Sequence, residues 1–233
     1  MLSIICPVYN EADNIEKLVE EVCQKIQLPL ELIIVYDFPE DNTLPIVEEI
    51  SDNYNFAIRC VQNHFGRGAL NAIKTGFICA GGCTVLVTMA DLSDDLAVVD
   101  LMYKKIHEEG FDIVCGSRYM RGGKQIGGPI LKKFLSSLAG KSLYWLRRFP
   151  THDVTNSFKM YKKHVLKNIT VLSQGGFEIG MELVVKAFLL NYKITEIPTT
   201  WIDRTSGSSK FEMWKWMPSY LRWYIHAFNR RKK

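Results

Sequence analysis

Long apolar runs are missing from this chain of 233 residues, and no basic leader precedes its first apolar stretch at residues 2–9. A membrane-spanning helix needs about 20 consecutive, mostly apolar residues. A secretory signal needs a positively charged start before its apolar segment. We therefore expect neither a membrane span nor a secretory signal.

The six cysteines include no Cys-x-x-Cys pair, the spacing found in many zinc and redox sites. Cys79 and Cys83 have no nearby His or Cys that would complete a tetrahedral zinc site. Cys6, Cys60 and Cys115 fall in or beside apolar stretches, where they would serve as small buried hydrophobic residues. We interpret all of them as reduced thiols of a cytosolic protein.

The amino-acid composition is typical of a globular protein, since 47% of the residues are hydrophobic and the net charge is only +4. The positive charges are uneven. They cluster at Lys132, Lys133 and Lys141, at Arg147 and Arg148, and in the last residues, 230–233. This asymmetry favours anionic partners for the second half of the chain.

Apolar strand-like segments alternate with amphipathic segments through the first half of the chain. Strands are predicted at residues 2–9, 30–37, 56–63, 83–90 and 111–119, with helices between them. Regular alternation of this kind predicts parallel strands with right-handed crossovers. The fold class is therefore α/β, with a Rossmann-like, nucleotide-binding type of sheet.

The segment at residues 84–95 is the most informative, because its apolar strand ends on Asp91, Asp94 and Asp95. Open α/β sheets bind ligands beyond the carboxyl ends of their strands. Carboxylates at that place suit a hard divalent cation, which can bridge the phosphates of a nucleotide. The alternative is that Ser93 or Asp94 caps the next helix and nothing is bound.

A turn at residues 64–70 places Gly66 and Gly68 around Arg67, just before a helix. Glycines let backbone amides approach a phosphate, and a helix N-terminus favours an anion. The same pattern is also typical of an ordinary tight turn.

Six segments together resemble glycosyltransferase family 2, and within it the dolichol-phosphate mannose synthase-like branch. They lie at residues 6–11, 35–43, 63–70, 89–95, 116–123 with 153–161, and 201–211. The resemblance covers nearly the whole chain. It implies a GT-A fold, a mostly parallel sheet flanked by helices, in residues 1–211, and an amphipathic basic helix in residues 212–233.

The resemblance also implies a donor site. The residues that match the family's nucleotide-binding positions are Pro7, Tyr9, Glu11, Asp37, Arg67, Ala90 and Asp91. A Mg²⁺ or Mn²⁺ ion would be held by Asp91 and Ser93. Two segments depart from the family pattern: Tyr36–Pro39 replaces Asp-Asp-Gly-Ser, and Met89 replaces the first carboxylate of Asp-Ala-Asp. We expect an altered nucleotide loop and weaker metal dependence.

An acceptor site is implied by matches in the second half of the chain. These are Arg118, Lys132, Lys133, Ser136, Ser137, Arg204 and Lys210, with Asp91 and Arg118 as the catalytic pair. A polyprenyl phosphate needs cations to position it and no base, because phosphate monoesters with a second pKa near ~6 are already nucleophilic. Lys132 and Lys133 alone also fit a solvated basic helix face.

The C-terminal segment has an aromatic face at helical spacing, formed by Met213, Trp216, Met217, Tyr220, Leu221, Tyr224 and Phe228. Such a helix suits a membrane interface, and it equally suits burial against this domain or a partner. Pro218 would interrupt its backbone hydrogen bonds.

We therefore predict an inverting glycosyltransferase, peripheral on the cytosolic face of a membrane, that moves a hexosyl group from GDP-mannose or a UDP-sugar to dolichyl or undecaprenyl phosphate. No nucleic-acid partner is expected. Two alternatives stay open. One is transfer to a glycan hydroxyl with Asp94 or Asp95 as base, and the other is a nucleotide-sugar-binding subunit without turnover, suggested by the missing carboxylate at Met89.

Overall fold

The computed structural model describes residues 1–203 and 213–230. Its strands are β1 Leu2–Pro7, β2 Leu30–Tyr36, β3 Ala57–Gln62, β4 Thr84–Val87, β5 Ile113–Ser117, β6 Lys124–Ile126, β7 Lys159–Lys162, β8 Ile194–Pro198 and β9 Thr200–Ile202. Its helices are α1 Ala12–Lys25, α2 Thr43–Ile50, α3 Ala69–Cys79, α4 Val99–His107, α5 Ile130–Arg147, α6 Lys163–Asn168, α7 Ile179–Leu189 and α8 Met213–His226.

Seven strands form the central sheet, in the order β3-β2-β1-β4-β7-β5-β8. All neighbouring strands run parallel except β7, which is antiparallel to both β4 and β5. β6 and β9 pair in parallel as a separate two-stranded sheet. The predicted α/β class and mostly parallel sheet are confirmed, and the antiparallel β7 is an addition that the alternation did not predict.

Helices cover both faces of the sheet because the central strands are apolar on both sides. On β1, Ile4 belongs to a core formed with α1 and α4, whereas Ile5 faces α3. α3 lies close to β1 at Gly76, where an added Cβ would come within 2.3 Å of the Ile5 side chain. The carboxyl ends of β1, β2 and β4 are thereby held side by side at one edge.

The cysteine prediction is confirmed in part. Cys6 and Cys115 are buried in the two main cores, as expected of small hydrophobic residues. Cys60 is instead exposed. The reason is its place on β3, an edge strand of the central sheet on which most residues are exposed.

Helix α8 packs against the body of the protein through its aromatic residues. Trp223 is buried in the same core as α7, and its indole N–H donates to the Ser173 hydroxyl at 2.8 Å. Trp216 lies against Gly175 and Gly176, where an added Cβ would collide with its ring. Of the two placements that the sequence left open, burial against the domain therefore holds for Trp216, whereas Leu221 and Phe228 of the same predicted face are exposed. Among the helices in residues 1–203 and 213–230, none has the length and apolarity to cross a bilayer.

Candidate active site

The loops that follow β1 and β2 are fastened together at the carboxyl edge of the sheet. The Asn10 amide donates to both carboxylate oxygens of Asp41, at 3.1 and 3.0 Å, and the Glu11 amide donates to the Thr43 hydroxyl at 2.9 Å. Asp41 is buried. The predicted donor residue Pro7 ends β1, and Tyr9 and Glu11 follow it in a loop whose backbone is held by residues between β2 and α2 and at the start of α2.

Asp37 connects the end of β2 to the glycine turn before α3. One carboxylate oxygen accepts from the Asn63 side-chain amide and the other from the Gly68 backbone N–H, both at 2.9 Å. Gly68 has φ of 114°, a conformation that favours glycine. Asp37 therefore holds the turn in place, and its predicted contact with the nucleotide stays a prediction.

Phe38 brings two predicted donor residues together. Its ring lies edge-to-face with Tyr9, with centroids 5.3 Å apart and an interplanar angle of 70°. The Arg67 guanidinium carbon lies 5.4 Å from the centroid of the same ring. Sequence reasoning found Tyr9 and Arg67 but gave Phe38 no role, because the family pattern offers no aromatic residue at that position.

Asp91 lies in the turn after β4, as predicted. Its carboxylate accepts from the Ser93 backbone N–H at 3.2 Å, a local turn within the motif. Ser93 is buried, and its carbonyl accepts from Ile202 at 3.0 Å. Ala90 is buried beside them. Asp91 is only half-buried and follows β4 at the carboxyl edge of the sheet, where a ligand is expected.

Asp94 is a buried carboxyl group beside Asp91. One of its oxygens accepts from the Thr88 hydroxyl at 3.1 Å and the Met89 amide at 3.3 Å. Burial, reinforced by the negative charge of Asp91, raises the pKa of Asp94 to about 7 in spite of these hydrogen bonds.

The side chains available as metal ligands determine how a divalent cation fits at this edge of the sheet. Across residues 1–203 and 213–230, no group of three or more His, Cys, Asp or Glu side chains is arranged to hold a metal ion. Met89 stands where the family has its first carboxylate. A Mg²⁺ or Mn²⁺ ion fits here if Asp91 supplies one oxygen and nucleotide phosphates supply others, a common arrangement for Mg²⁺.

Arg118, at the end of β5, makes a two-pronged ion pair with Asp153. Its Nε and Nη2 donate to the two carboxylate oxygens at 2.6 and 2.9 Å, and its backbone N–H donates to the same carboxylate at 3.0 Å. Asp153 is fully buried. Burial alone would raise the pKa of Asp153, but the Arg118 guanidinium outweighs it and holds that pKa below its ordinary value.

Lys159 is a buried cation that sequence reasoning missed. It is fully buried on β7, and its ammonium donates to the Val154 carbonyl at 3.3 Å. Burial lowers the pKa of Lys159, whereas the nearby carboxylates of Asp153 and Asp94 act in the opposite direction. Both Asp153 and Lys159 lie within the motif at residues 153–161. That motif was the one feature of the sequence that could have indicated a role for these two residues.

Tyr119 links the end of β5 to helix α5. Its hydroxyl donates to the Gln125 side-chain carbonyl at 2.8 Å and is hydrogen-bonded to the Ser136 hydroxyl. The Lys133 ammonium donates to the Gln125 backbone carbonyl at 3.1 Å. Arg118 lies over the Tyr119 ring, 4.9 Å from its centroid. The structure therefore brings Arg118, Lys133 and Ser136 into one polar network.

The remaining predicted acceptor residues lie on α5 or outside the described part of the chain. Lys132 and Ser137 are half-buried on α5 beside this network. Arg204 and Lys210 lie outside the described residues. Their contacts with an acceptor stay predictions.

Comparison with known proteins identifies relatives along most of the chain. It is 31% identical over 226 residues to a dolichol-phosphate mannosyltransferase of Pyrococcus furiosus, covering 95% of this chain and 62% of that protein. It is 26% identical to a polyprenol monophosphomannose synthase of Mycolicibacterium smegmatis, covering 89% and 79%. It is 24% identical to an undecaprenyl-phosphate 4-deoxy-4-formamido-L-arabinose transferase of Serratia proteamaculans, covering 92% and 64%. The chain thus spans less than two thirds of the first and third relatives.

Solved structures share the fold. The crystal structure of glucosyl-3-phosphoglycerate synthase from Mycobacterium tuberculosis, in complex with Mn²⁺, UDP and glucosyl-3-phosphoglycerate, superposes with a TM-score of 0.74. It is 14% identical and covers 100% of this chain and 81% of that one. The predicted GT-A fold is confirmed. The sequence model of the family described as "Glycosyl transferase family 2" matches residues 3–170, so the chain belongs to glycosyl transferase family 2.

Proposed function

We propose that this chain is an inverting glycosyltransferase that moves a hexosyl group from a nucleotide sugar, GDP-mannose or a UDP-sugar, to a polyprenyl phosphate such as dolichyl or undecaprenyl phosphate. The names of the three relatives carry the proposal, because they specify different sugars but one class of acceptor. The relatives therefore share a polyprenyl phosphate acceptor, and their names do not indicate which sugar this chain transfers.

The geometry of the site supports this chemistry. Lys132 and Lys133 lie in the first turn of α5, where the helix N-terminus also favours an anion. A phosphate oxygen held there would attack the anomeric carbon while the nucleoside diphosphate leaves from the opposite side. A divalent cation bound through Asp91 would stabilise the charge on the leaving diphosphate. No protein base is needed, since the acceptor is already ionised.

One observation favours a second candidate, transfer to a hydroxyl group of a glycan. Asp94 has a pKa of about 7, a value suited to a general base at neutral pH. Asp95, the other predicted base, caps the short 3-10 helix at Leu96–Val98 by accepting from the Ala97 N–H at 3.1 Å. If this candidate is correct, the labelled product is water-soluble and Asp94→Asn loses most activity.

Exposed apolar side chains on α5 and in the segment 221–228 support association with a membrane surface. They are Ile130, Leu131, Phe134, Leu138, Trp145, Leu146, Leu221, Ile225 and Phe228. Arg147 of α5 donates to the carbonyl of Ala227, the residue after α8, at 3.1 Å, and the exposed cations Lys133, Lys141 and Arg222 lie on the two helices. We call this the α5–α8 surface. Its apolar side chains and flanking cations fit the anionic cytosolic face of a membrane.

The transfer reaction is tested by a donor screen. Labelled GDP- and UDP-sugars are incubated with the protein, undecaprenyl or dolichyl phosphate, and Mg²⁺ or Mn²⁺. We expect label to enter the organic phase with one donor class. Label in a water-soluble glycan would favour the hydroxyl acceptor, and absence of any product would favour the subunit without turnover.

Membrane association is tested by sedimentation with vesicles that contain anionic lipid. Phe134→Ser and Trp145→Ser, which change side chains 60% and 77% exposed, should each weaken vesicle binding several-fold. Ile78→Ser is the matched control, because Ile78 is 66% exposed on α3, away from the surface. Equal effects in all three variants would exclude the α5–α8 surface.

A further inference from the structure

We propose that Phe38 is a positioning residue of the donor site, which joins the Tyr9 ring at the nucleotide base to the Arg67 guanidinium at the diphosphate. The inference rests on the proposed function, since it takes a nucleotide sugar as the donor. It assigns a role to a residue that stands where the family usually has the glycine of Asp-Asp-Gly-Ser.

The contacts place Phe38 between the two groups. The Tyr9 and Phe38 rings meet at an angle of 70° with centroids 5.3 Å apart, a favourable edge-to-face geometry. The Arg67 guanidinium lies 5.4 Å from the Phe38 centroid, within the range of a cation–π contact. One aromatic side chain therefore touches both a ring suited to base stacking and a cation suited to phosphate.

The backbone around Phe38 is fixed, so that these contacts are built into the fold. The Phe38 carbonyl accepts from the Asp41 N–H at 3.2 Å, which closes a turn containing Pro39. The Asp41 carboxylate in turn holds the Asn10 amide, next to Tyr9. Phe38 and Tyr9 therefore belong to two loops that cannot move apart without breaking these hydrogen bonds.

Arg67 depends on Phe38 for its direction. It lies between Gly66 and Gly68 in the turn that begins α3, a place where an anion is favoured. Its backbone is anchored through the contact of Gly68 with Asp37, but its long side chain is exposed. Stacking on the Phe38 ring limits the directions that the guanidinium adopts. A glycine at position 38 would provide no such support.

The consequence is that Phe38 and Arg67 act as a unit in binding nucleotide. Removing Phe38 should weaken nucleoside diphosphate binding about tenfold, because the Tyr9 ring and the Arg67 guanidinium both lose the contact that directs them. Removing Arg67 should weaken binding about tenfold in the wild-type background but less than about twofold once Phe38 is gone, because an undirected cation contributes little.

The experiment is a double-mutant cycle by titration calorimetry, with UDP and GDP in the presence of Mn²⁺. The variants are Phe38→Ala, Arg67→Ala, both together, and Phe38→Tyr, which keeps a ring and should restore most of the affinity. Phe65→Ala is the matched control, because Phe65 lies in the same region and also carries a cation over its ring, with the Lys74 ammonium 4.4 Å from the centroid. In the transfer assay, Phe38→Ala should raise the donor KM and leave kcat nearly unchanged.

The outcomes separate this inference from the proposed function. Additive losses in the cycle, or an equal loss in Phe65→Ala, overturn the role of Phe38 while nucleotide binding itself stands. A wild-type protein that binds neither UDP nor GDP overturns both. A coupled loss with rescue by Phe38→Tyr supports both.

Discussion

At the scale of single residues, the same side chain often has a structural partner and a predicted ligand. The motif around Arg118 predicts a phosphate contact, whereas the fold pairs its Nε and Nη2 with the buried carboxylate of Asp153. A guanidinium held in this way has a fixed orientation, which a binding site requires. The ion pair uses Nε and Nη2 of a side chain that is only 9% exposed, so the predicted phosphate contact of Arg118 stays a prediction.

Asp153→Ala should lower the free energy of unfolding by roughly 3–5 kcal/mol, because it leaves the Arg118 charge largely buried and unpaired. Urea unfolding measures this. Asp95→Ala, at a half-buried position, is the control and should cost no more than about 1 kcal/mol. If the two variants are equally stable, the Arg118–Asp153 pair is not a structural requirement.

Asp91→Asn should reduce turnover about 100-fold or more, since the amide keeps the size of the carboxylate but no longer attracts a cation. The thermal midpoint should change little, because Asp91 lies beyond the strand and outside the core. Calorimetry with Mn²⁺ should show binding to the wild type only when nucleotide is present, and no such binding to the variant. Undiminished turnover at saturating Mn²⁺ would move the metal site elsewhere.

At the scale of secondary-structure elements, the edge of the sheet opposite the site is fastened by Glu31. Its carboxylate accepts from the Ser3 hydroxyl and the Gly81 N–H, both at 2.6 Å, and from Arg59 at 3.0 Å. These contacts join β1, β2, β3 and the turn before β4. Burial alone would raise the pKa of Glu31, but these hydrogen bonds and the Arg59 charge lower it overall.

Glu31→Gln should therefore destabilise the protein by about 1–2 kcal/mol at pH 7. Because the folded-state pKa is lowered, the contribution of the charge is complete above the ordinary Glu pKa of about 4.3 and is lost as the pH falls through the lowered value. Unfolding measured from pH 7 to pH 3 should show the two proteins converging. The exposed Glu49→Gln is the control, and a pH-independent difference for Glu31→Gln would contradict this assignment.

At the scale of the whole molecule, α8 is part of the core and not a detachable anchor. Trp223 and Ala227 are buried against the core that contains α7. Deleting residues 212–233 would therefore remove core side chains together with the exposed Leu221 and Ile225, and loss of vesicle binding in that truncation would have two causes. The predicted domain boundary at residue 211 lies outside the described residues and stays a prediction.

Two tryptophans separate packing from surface binding. Trp223→Ala should lower the free energy of unfolding by roughly 3–5 kcal/mol, because Trp223 is 2% exposed and its removal leaves a cavity. Trp145→Ala, at a side chain 77% exposed, should change it by less than about 0.5 kcal/mol and weaken vesicle binding instead. A loss of stability in Trp223→Ala below about 0.5 kcal/mol would show that α8 is not a core element.

The sequence by itself determined the α/β class, the family and the position of Asp91, because alternating apolar segments and short motifs depend on residues close together in the chain. Only the tertiary structure decided that β7 enters antiparallel between β4 and β5, that Asp153 takes the guanidinium of Arg118, and that Phe38 connects Tyr9 to Arg67. Each of these joins residues far apart in sequence. It also decided which face of α8 is buried, because a helix with apolar residues on several sides can be oriented only by what packs against it.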